Sequence, residues 1–395
     1  MKQLATIILV GVWTSGCITT PEVPPREPLN IEKLSGAYAP SPRALHTSVW
    51  TEHGMIVWGG LFDPKHKSRP TGGAILTSQA GYWKPIAKPE IDASSRYHHS
   101  SVWTGKELVI WGGRDGNLDV VSDIGLAYNA TSNSWRQLTF EGAPQGREGQ
   151  STIWTKKEMI IFGGESEEEI HKDAYAYEPK KDSWRQLTTP DDKVAGRSYH
   201  SAIWTGKEMI VFGGMNNKGA IQNGFVYNPE TGETTMITPP KRFKKRISHS
   251  AIWTGKEMIV FGGSNGNGRH YRDGVAYNPK TSKWRLISRK RAPSARALHT
   301  AIWTGSHMVV SGGTKGKGSK NTIGIYDPIQ DKWQVVKKKA AARNAHTAVW
   351  SGSEILIWGG RLTNDKFVSG KPKGLSIKLD APSGQKDFAG MDLSH

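Results

Sequence analysis

Apolar and polar residues along this chain recur in a fixed order. The stretch HSAIWTGKEMIVFGG at 249–263 is typical. Its first part alternates, as a half-buried strand does. Thr-Gly-Lys-Glu then supplies a tight hairpin turn. The apolar, β-rich run that follows ends in two glycines and reads as a second, fully buried strand. After a variable loop comes a third strand of the GVAYNP kind. Asn-Pro and its followers turn the chain, and KWRLI makes a fourth. Each unit therefore predicts four antiparallel strands, here named A to D.

The unit occurs seven times. Its strand-A tryptophan stands at Trp50, Trp103, Trp154, Trp204, Trp253, Trp303 and Trp350, and the Gly-Gly pairs begin at Gly59, Gly112, Gly163, Gly213, Gly262, Gly312 and Gly359. Both series advance by 53, 51, 50, 49, 50 and 47 residues. Tyr128, Tyr177, Tyr227, Tyr277 and Tyr326 each precede by seven residues Trp135, Trp184, Thr234, Trp284 and Trp333, with Leu76 and Trp83 in the first unit. Repeats of this kind cannot bury their apolar faces singly and must stack on their neighbours.

The period, the Gly-Gly after strand B, the spaced Tyr and Trp, and the Asn-Pro or Asp-Pro turn make the chain resemble the kelch family, over residues 31–379. That resemblance implies an all-β fold: a seven-bladed β-propeller with four antiparallel strands per blade. After Gly360 only one further strand is visible, near 374–379. The segment IEKLSGAYAPSPR (31–43) aligns with WRLISRKRAPSAR (284–296). Ile31 to Ser35 is therefore expected to supply strand D of the last blade and remove an open sheet edge. Residues 380–395 are expected to be a flexible tail.

The N-terminus reads as an address. Met1-Lys2, an apolar run from Leu4 to Trp13, and small residues before Cys17 have the layout of a secretory signal, and the run is too short to span a bilayer. Ser15-Gly16-Cys17 resembles a bacterial lipobox, although Thr14 stands where Leu is usual. The resemblance implies a signal peptide over 1–16, a lipid on Cys17, and an exported outer-membrane lipoprotein facing periplasm or surface. Residues 17–30, with four prolines, would form a tether.

Composition narrows the function. The formal net charge is +18, and +17 once Lys2 is removed with the signal. Such a balance favours acidic partners. The lone cysteine excludes an intrachain disulfide and a multi-cysteine metal site; because Cys17 lies outside the repeats, the cysteine–tyrosine pair that the resemblance to galactose oxidase-like kelch enzymes would require for copper radical chemistry is not expected. Export argues against nucleic acid.

In an up-and-down meander, the B–C loops and the D-to-A linkers share one face, which carries the variation and is the candidate binding face. Linkers and loops of blades 5 to 7 supply Lys241, Arg242, Lys244, Lys245, Arg269, His270, Tyr271, Arg272, Arg289, Lys290, Arg291, Lys337, Lys338 and Lys339. Glu165, Glu167, Glu168 and Glu169 make the blade 3 side acidic. An arginine opens every blade (Arg43, Arg96, Arg147, Arg197, Arg246, Arg296 and Arg343). Three residues on stands a histidine (His46, His99, His200, His249, His299 and His346), or Gln150 in blade 3. Side chains present in every blade serve what every blade needs, so these rings are expected to hold neighbouring blades together, not a metal.

The expected function is therefore a non-catalytic, monomeric binding module on the cell envelope. It would need no cofactor or metal and would recognise an acidic protein or anionic glycan. The alternative is a sugar-active enzyme, similar to the sialic acid mutarotase among bacterial kelch proteins. That would need a few convergent polar side chains confined to one or two blades. No such set is visible in the sequence, but Glu148 and Gln150, which break the local pattern, are where it would lie.

Overall fold

The computed structural model describes residues 29–379, apart from 63–71, 79–80, 92–95, 117–118, 189–192, 317, 364–365 and 369–373. The expected signal, Cys17 and most of the tether and tail lie outside the described residues. So do Asp191 and Asp192, which follow the acidic blade 3 in the sequence, and Lys317 of the blade 6 loop.

The described residues form seven blade sheets, each built on four antiparallel strands in the order A-B-C-D, with three two-stranded ribbons beside them. Blade 5 shows the pattern: Ser250–Trp253, Met258–Phe261, Gly274–Asn278 and Lys283–Leu286. Strand B is buried along its whole length, whereas strand D alternates or lies exposed. That gradient follows from position, because B is covered by blades on both sides and D forms the outer edge. Strands A of successive blades touch one another, and the last touches the first. They therefore surround the axis. In the A–B turn the Thr205 hydroxyl accepts from the Glu208 N–H and donates to its carbonyl. Thr104, Thr155, Thr254 and Ser351 repeat the arrangement.

The seven-residue Tyr–Trp spacing is a cross-strand pair. Tyr128, Tyr177, Tyr277 and Tyr326 face Trp135, Trp184, Trp284 and Trp333 between strands C and D, with ring centroids 4.6–4.9 Å apart. The indole N–H groups of Trp135, Trp184 and Trp333 donate to the carbonyls of Ala87, Thr139 and Ser288, in the preceding blade's exit. Core clusters accordingly run between blades: Ile160 and Phe162 of blade 3 pack with Met209, Val211 and Phe225 of blade 4.

Blade 7 is completed by the N-terminal strand. Asn30–Leu34 pairs antiparallel with Gly374–Lys378, with Ile31 opposite Ile377. The strand starts one residue before the expected Ile31 and ends at Leu34. Leu29, also placed in the expected tether, is buried beside Ile323, Ala341 and Leu375. Blade 6 departs from the others by extending strand B to Lys315, where it pairs with a short fifth strand, Gly318–Ser319.

Candidate functional site: the axial rim and the basic sector

The arginine ring binds carbonyls within its own blade. Nη1 of Arg43, Arg147, Arg197, Arg246, Arg296 and Arg343 donates to the carbonyl of the first glycine of the Gly-Gly pair, at 2.7–3.2 Å. A second acceptor sits at the entry to strand C, such as Gly72 O for Arg43 and Asp173 for Arg147. All seven arginines are buried. The expectation that they bond a neighbouring blade is thus corrected: they brace the entry of strand A to the end of strand B. At this level the blades are joined by backbone. The N–H of the second glycine donates to the carbonyl of the next blade's arginine in all seven junctions, including Gly360 to Arg43. A Cβ on Gly60 would lie 2.8 Å from Ala44 O and 2.7 Å from His46 Cβ, and its φ is +98°. The Gly-Gly signature is therefore a steric requirement.

The histidine ring does join neighbours. Nε2 of His99, His200, His249, His299 and His346 meets a Ser or Thr hydroxyl on the preceding blade's strand A at 2.8–3.1 Å. His46 does the same to Thr347 at 2.7 Å. In blade 3, Gln150 Nε2 substitutes by donating to Ser100 Oγ at 3.2 Å. Burial, then the neighbouring guanidinium, pulls the pKa of these histidines down, to about 3 for His99, His249 and His299. They are neutral structural groups.

Between arginine and histidine lie two positions that differ from blade to blade. The first, directly after the arginine, bridges the residue that follows Gly-Gly: Tyr97 with Arg114, Glu148 with Glu165, Ser198 with Met215, Ile247 with Ser264, and Asn344 with Arg361. The second has left-handed backbone in every blade: Leu45, His98, Gly149, Tyr199, Ser248, Leu298 and Ala345, at φ of 50–66°. Backbone bonds link this second set around the axis, from Leu45 to Ala345, His98 to Leu45, Tyr199 to Gly149, Leu298 to Ser248 and Ala345 to Leu298. Three variable side chains per blade thus stand on an invariant frame at the axial rim.

Their chemistry is uneven. In blades 2 to 4 they converge. Glu148, almost fully buried, receives His98 Nδ1 at 2.7 Å and Arg114 Nε at 2.8 Å. Arg114 Nη1 also reaches Glu167 at 3.2 Å. Ser198 Oγ donates to Glu165 at 2.9 Å, and the Tyr97 hydroxyl donates to Asp119 at 3.2 Å. Gly149 lacks a side chain, so Tyr199 lies across blade 3, and its ring centroid stands 5.7 Å from that of His98. Burial opposes ionisation of Glu148, but the bonds from His98 and Arg114 outweigh it and hold the carboxyl below its usual range. Burial, with the Asp119 bond, pushes Tyr97 up to about 12. In blades 6, 7 and 1 the same rim carries Leu298, Ala345 and Leu45. A convergent polar cluster that the sequence did not reveal is therefore present, spread over three blades. Its signals were the departures at Glu148 and Gln150 and the variable residue after each Gly-Gly.

The expected basic residues divide into two groups. Lys241, Arg242, Lys244, Lys245, Arg269, Arg289, Lys290, Arg291, Lys337 and Lys339 are exposed, Lys338 is partly so, and none pairs with a described carboxylate. Others are part of the frame. Tyr271 is buried, with the Arg246 guanidinium 4.6 Å from its ring centroid. Arg272 is exposed but braces the linker carbonyls of Arg289 and Ala292 at 3.1 and 3.3 Å. His270 Nδ1 lies 3.0 Å from its own loop's Gly268 carbonyl. Among the described residues no group of His, Cys, Asp and Glu is arranged to hold a metal, and no helix is long and apolar enough to cross a membrane.

Seven four-stranded blades, the Gly-Gly junctions and the variable rim define a kelch-type β-propeller, a fold that typically serves protein interaction. The family model of the Attractin/LZTR1 beta-propeller matches residues 119–361, more than half of the chain, and the protein belongs to that family. It is similar to Adagio-like protein 3 of Oryza sativa subsp. japonica, 24% identical over 139 residues, which cover 34% of this chain and 20% of that protein. It is also similar to Ras guanine nucleotide exchange factor F of Dictyostelium discoideum, 30% identical over 86 residues, covering 22% and 8%. Tip elongation aberrant protein 3 of Schizosaccharomyces pombe is 29% identical over 94 residues, covering 22% and 8%. The matched stretches span a fifth or less of these relatives.

Proposed function

We propose that the ring is a non-catalytic interaction module that takes an acidic protein or anionic glycan on the face of its B–C loops and D-to-A linkers. The observation that carries this reading is the basic sector of blades 5 to 7, whose exposed cations lack described acidic partners. Unneutralised charge on one side of a face steers and orients an anionic partner. A direct test uses poly-L-glutamate and heparin as probes, for a protein-like and a glycan-like anion. Retention should fall as salt rises, and should drop about tenfold or more in Lys244→Glu/Lys245→Glu/Arg289→Glu/Arg291→Glu. Salt-insensitive or unchanged retention would overturn the reading.

The same reading puts the module on the envelope, exported as a monomer and held by a lipid on Cys17. Incorporation of labelled fatty acid, lost in Cys17→Ser, tests the anchor. Sedimentation of the protein lacking residues 1–17 tests the monomer.

A second reading, a sugar-active enzyme, draws on one observation. Glu148 meets Nδ1 of His98, the arrangement that orients a histidine for proton transfer. Exchange spectroscopy of sugar anomers decides it: no acceleration across a panel of reducing sugars removes this reading.

A further inference from the structure

The seven blades provide their own internal control. Residues that recur from blade to blade build the frame: the arginines brace each blade, and the glycines and the histidines, or Gln150, join neighbours. The polar cluster at the rim of blades 2 to 4 is confined to one sector, so ring-building does not account for it. It also places Glu148, a nearly buried carboxylate, beside only one full cation, Arg114.

Two features set its chemistry. Arg114 faces Glu148, Glu167 and Asp119, and Glu165 adds a fourth carboxylate, bonded by the hydroxyls of Ser198 and Tyr199 and paired with no cation among the described residues. Four carboxylates against one guanidinium leave this sector with an excess of formal negative charge. The tyrosines Tyr97 and Tyr199 flank this acidic rim, and an aromatic face beside carboxylates suits a planar cation. Opposite stand the apolar Leu45, Leu298 and Ala345, of which Leu298 is 41% exposed, with Asn344 and Arg361 of blade 7 beside Ala345. A side chain with an aliphatic stem and a charged head fits both halves.

We propose that this rim is a socket for an arginine or lysine side chain carried on a protein loop that enters along the axis. The proposal rests on reading the ring as an interaction module and names the partner's second feature: a basic finger beside an acidic surface.

The experiment uses the full chain and three capped tripeptides, Gly-Arg-Gly, Gly-norleucine-Gly and Gly-Glu-Gly, with side-chain NMR signals of His98 and Tyr199 as readout. The arginyl peptide should shift both signals saturably, and the other two should not. Glu165→Gln should weaken this binding at least tenfold. So should Glu148→Gln, whose fold is checked by its unchanged backbone spectrum. The fourfold charge reversal in blades 5 to 7 should leave it intact. Equal or stronger shifts with the glutamyl peptide, or none with the arginyl peptide, overturn the socket. If the arginyl peptide binds while poly-L-glutamate does not, the acidic-partner reading falls and the socket stands. The opposite pair of results leaves the basic sector and removes the socket.

Discussion

The backbone N–H of Gly360 donates to the carbonyl of Arg43 at 2.7 Å, so the seventh blade is fastened to the first by the bond that joins every other pair of neighbours. A side chain at Gly360 would meet Asn344 O at 2.8 Å and His346 Cβ at 2.9 Å, at a φ of +99°. Gly360→Ala should therefore cost about 2–4 kcal/mol, from left-handed strain and overpacking together. Gly105 has a similar φ of +88° but open space around it. Gly105→Ala should cost only the strain, about 1–2 kcal/mol. Urea denaturation of the two variants separates the two contributions.

Six neutral histidines, four of them buried and two partly so, make stability depend on acid. Their folded pKa values lie below the ordinary value near 6.5, at about 3 for three of them. The unfolded chain thus binds more protons, and stability rises with pH across this window. The contribution is full above about pH 6.5 and is lost as pH falls toward about 3, at up to roughly 8 kcal/mol per pH unit if all six protonate only on unfolding. Cooperative unfolding should set in within that window. His249→Gln, which copies the Gln150 already present in blade 3, should lower the slope by one proton, about 1.4 kcal/mol per pH unit. An unchanged slope in urea titrations at stepped pH would count against it.

Arg296 is buried and donates to the carbonyls of Gly312 at 2.7 Å, Ser294 at 2.9 Å and Thr322 at 3.3 Å. Lysine keeps the charge but cannot reach three acceptors as a fork does. Arg296→Lys should cost about 2–4 kcal/mol, because carbonyls are left buried without donors. Melting followed by circular dichroism checks this. A loss under about 1 kcal/mol, the value of one ordinary hydrogen bond, would mean that the brace is dispensable.

Leu29 sits under blade 7 against residues of blade 6. Leu29→Ala should cost about 2–3 kcal/mol. It should also raise amide exchange first at Ile377 and Leu375, which face the closing strand, before the central blades open.

The architecture could be read from the chain because the patterns of strands A and B occur seven times and those of C and D nearly as often. The period, the Tyr–Trp pairs and the borrowed strand near Ile31 are local signals copied in register. The frame was legible in identity but not in role: the chain shows that Arg197 recurs, not that its guanidinium reaches the Gly213 carbonyl. The rim was the least legible part. His98, Glu148 and Arg114 come from separate stretches of two blades, and only the turn of strand B back onto the entry of strand A brings them together. Tyr271 was misplaced among surface residues because nothing in RHYR shows that Arg246 lies over its ring.

A ring whose every junction uses the same bond has no privileged beginning. Asn30 and Lys378 are register partners, so a short splice could join them, and new ends could be cut into an A–B turn such as that at Gly206, around which there is open space. Order along the gene and order around the circle are then separable.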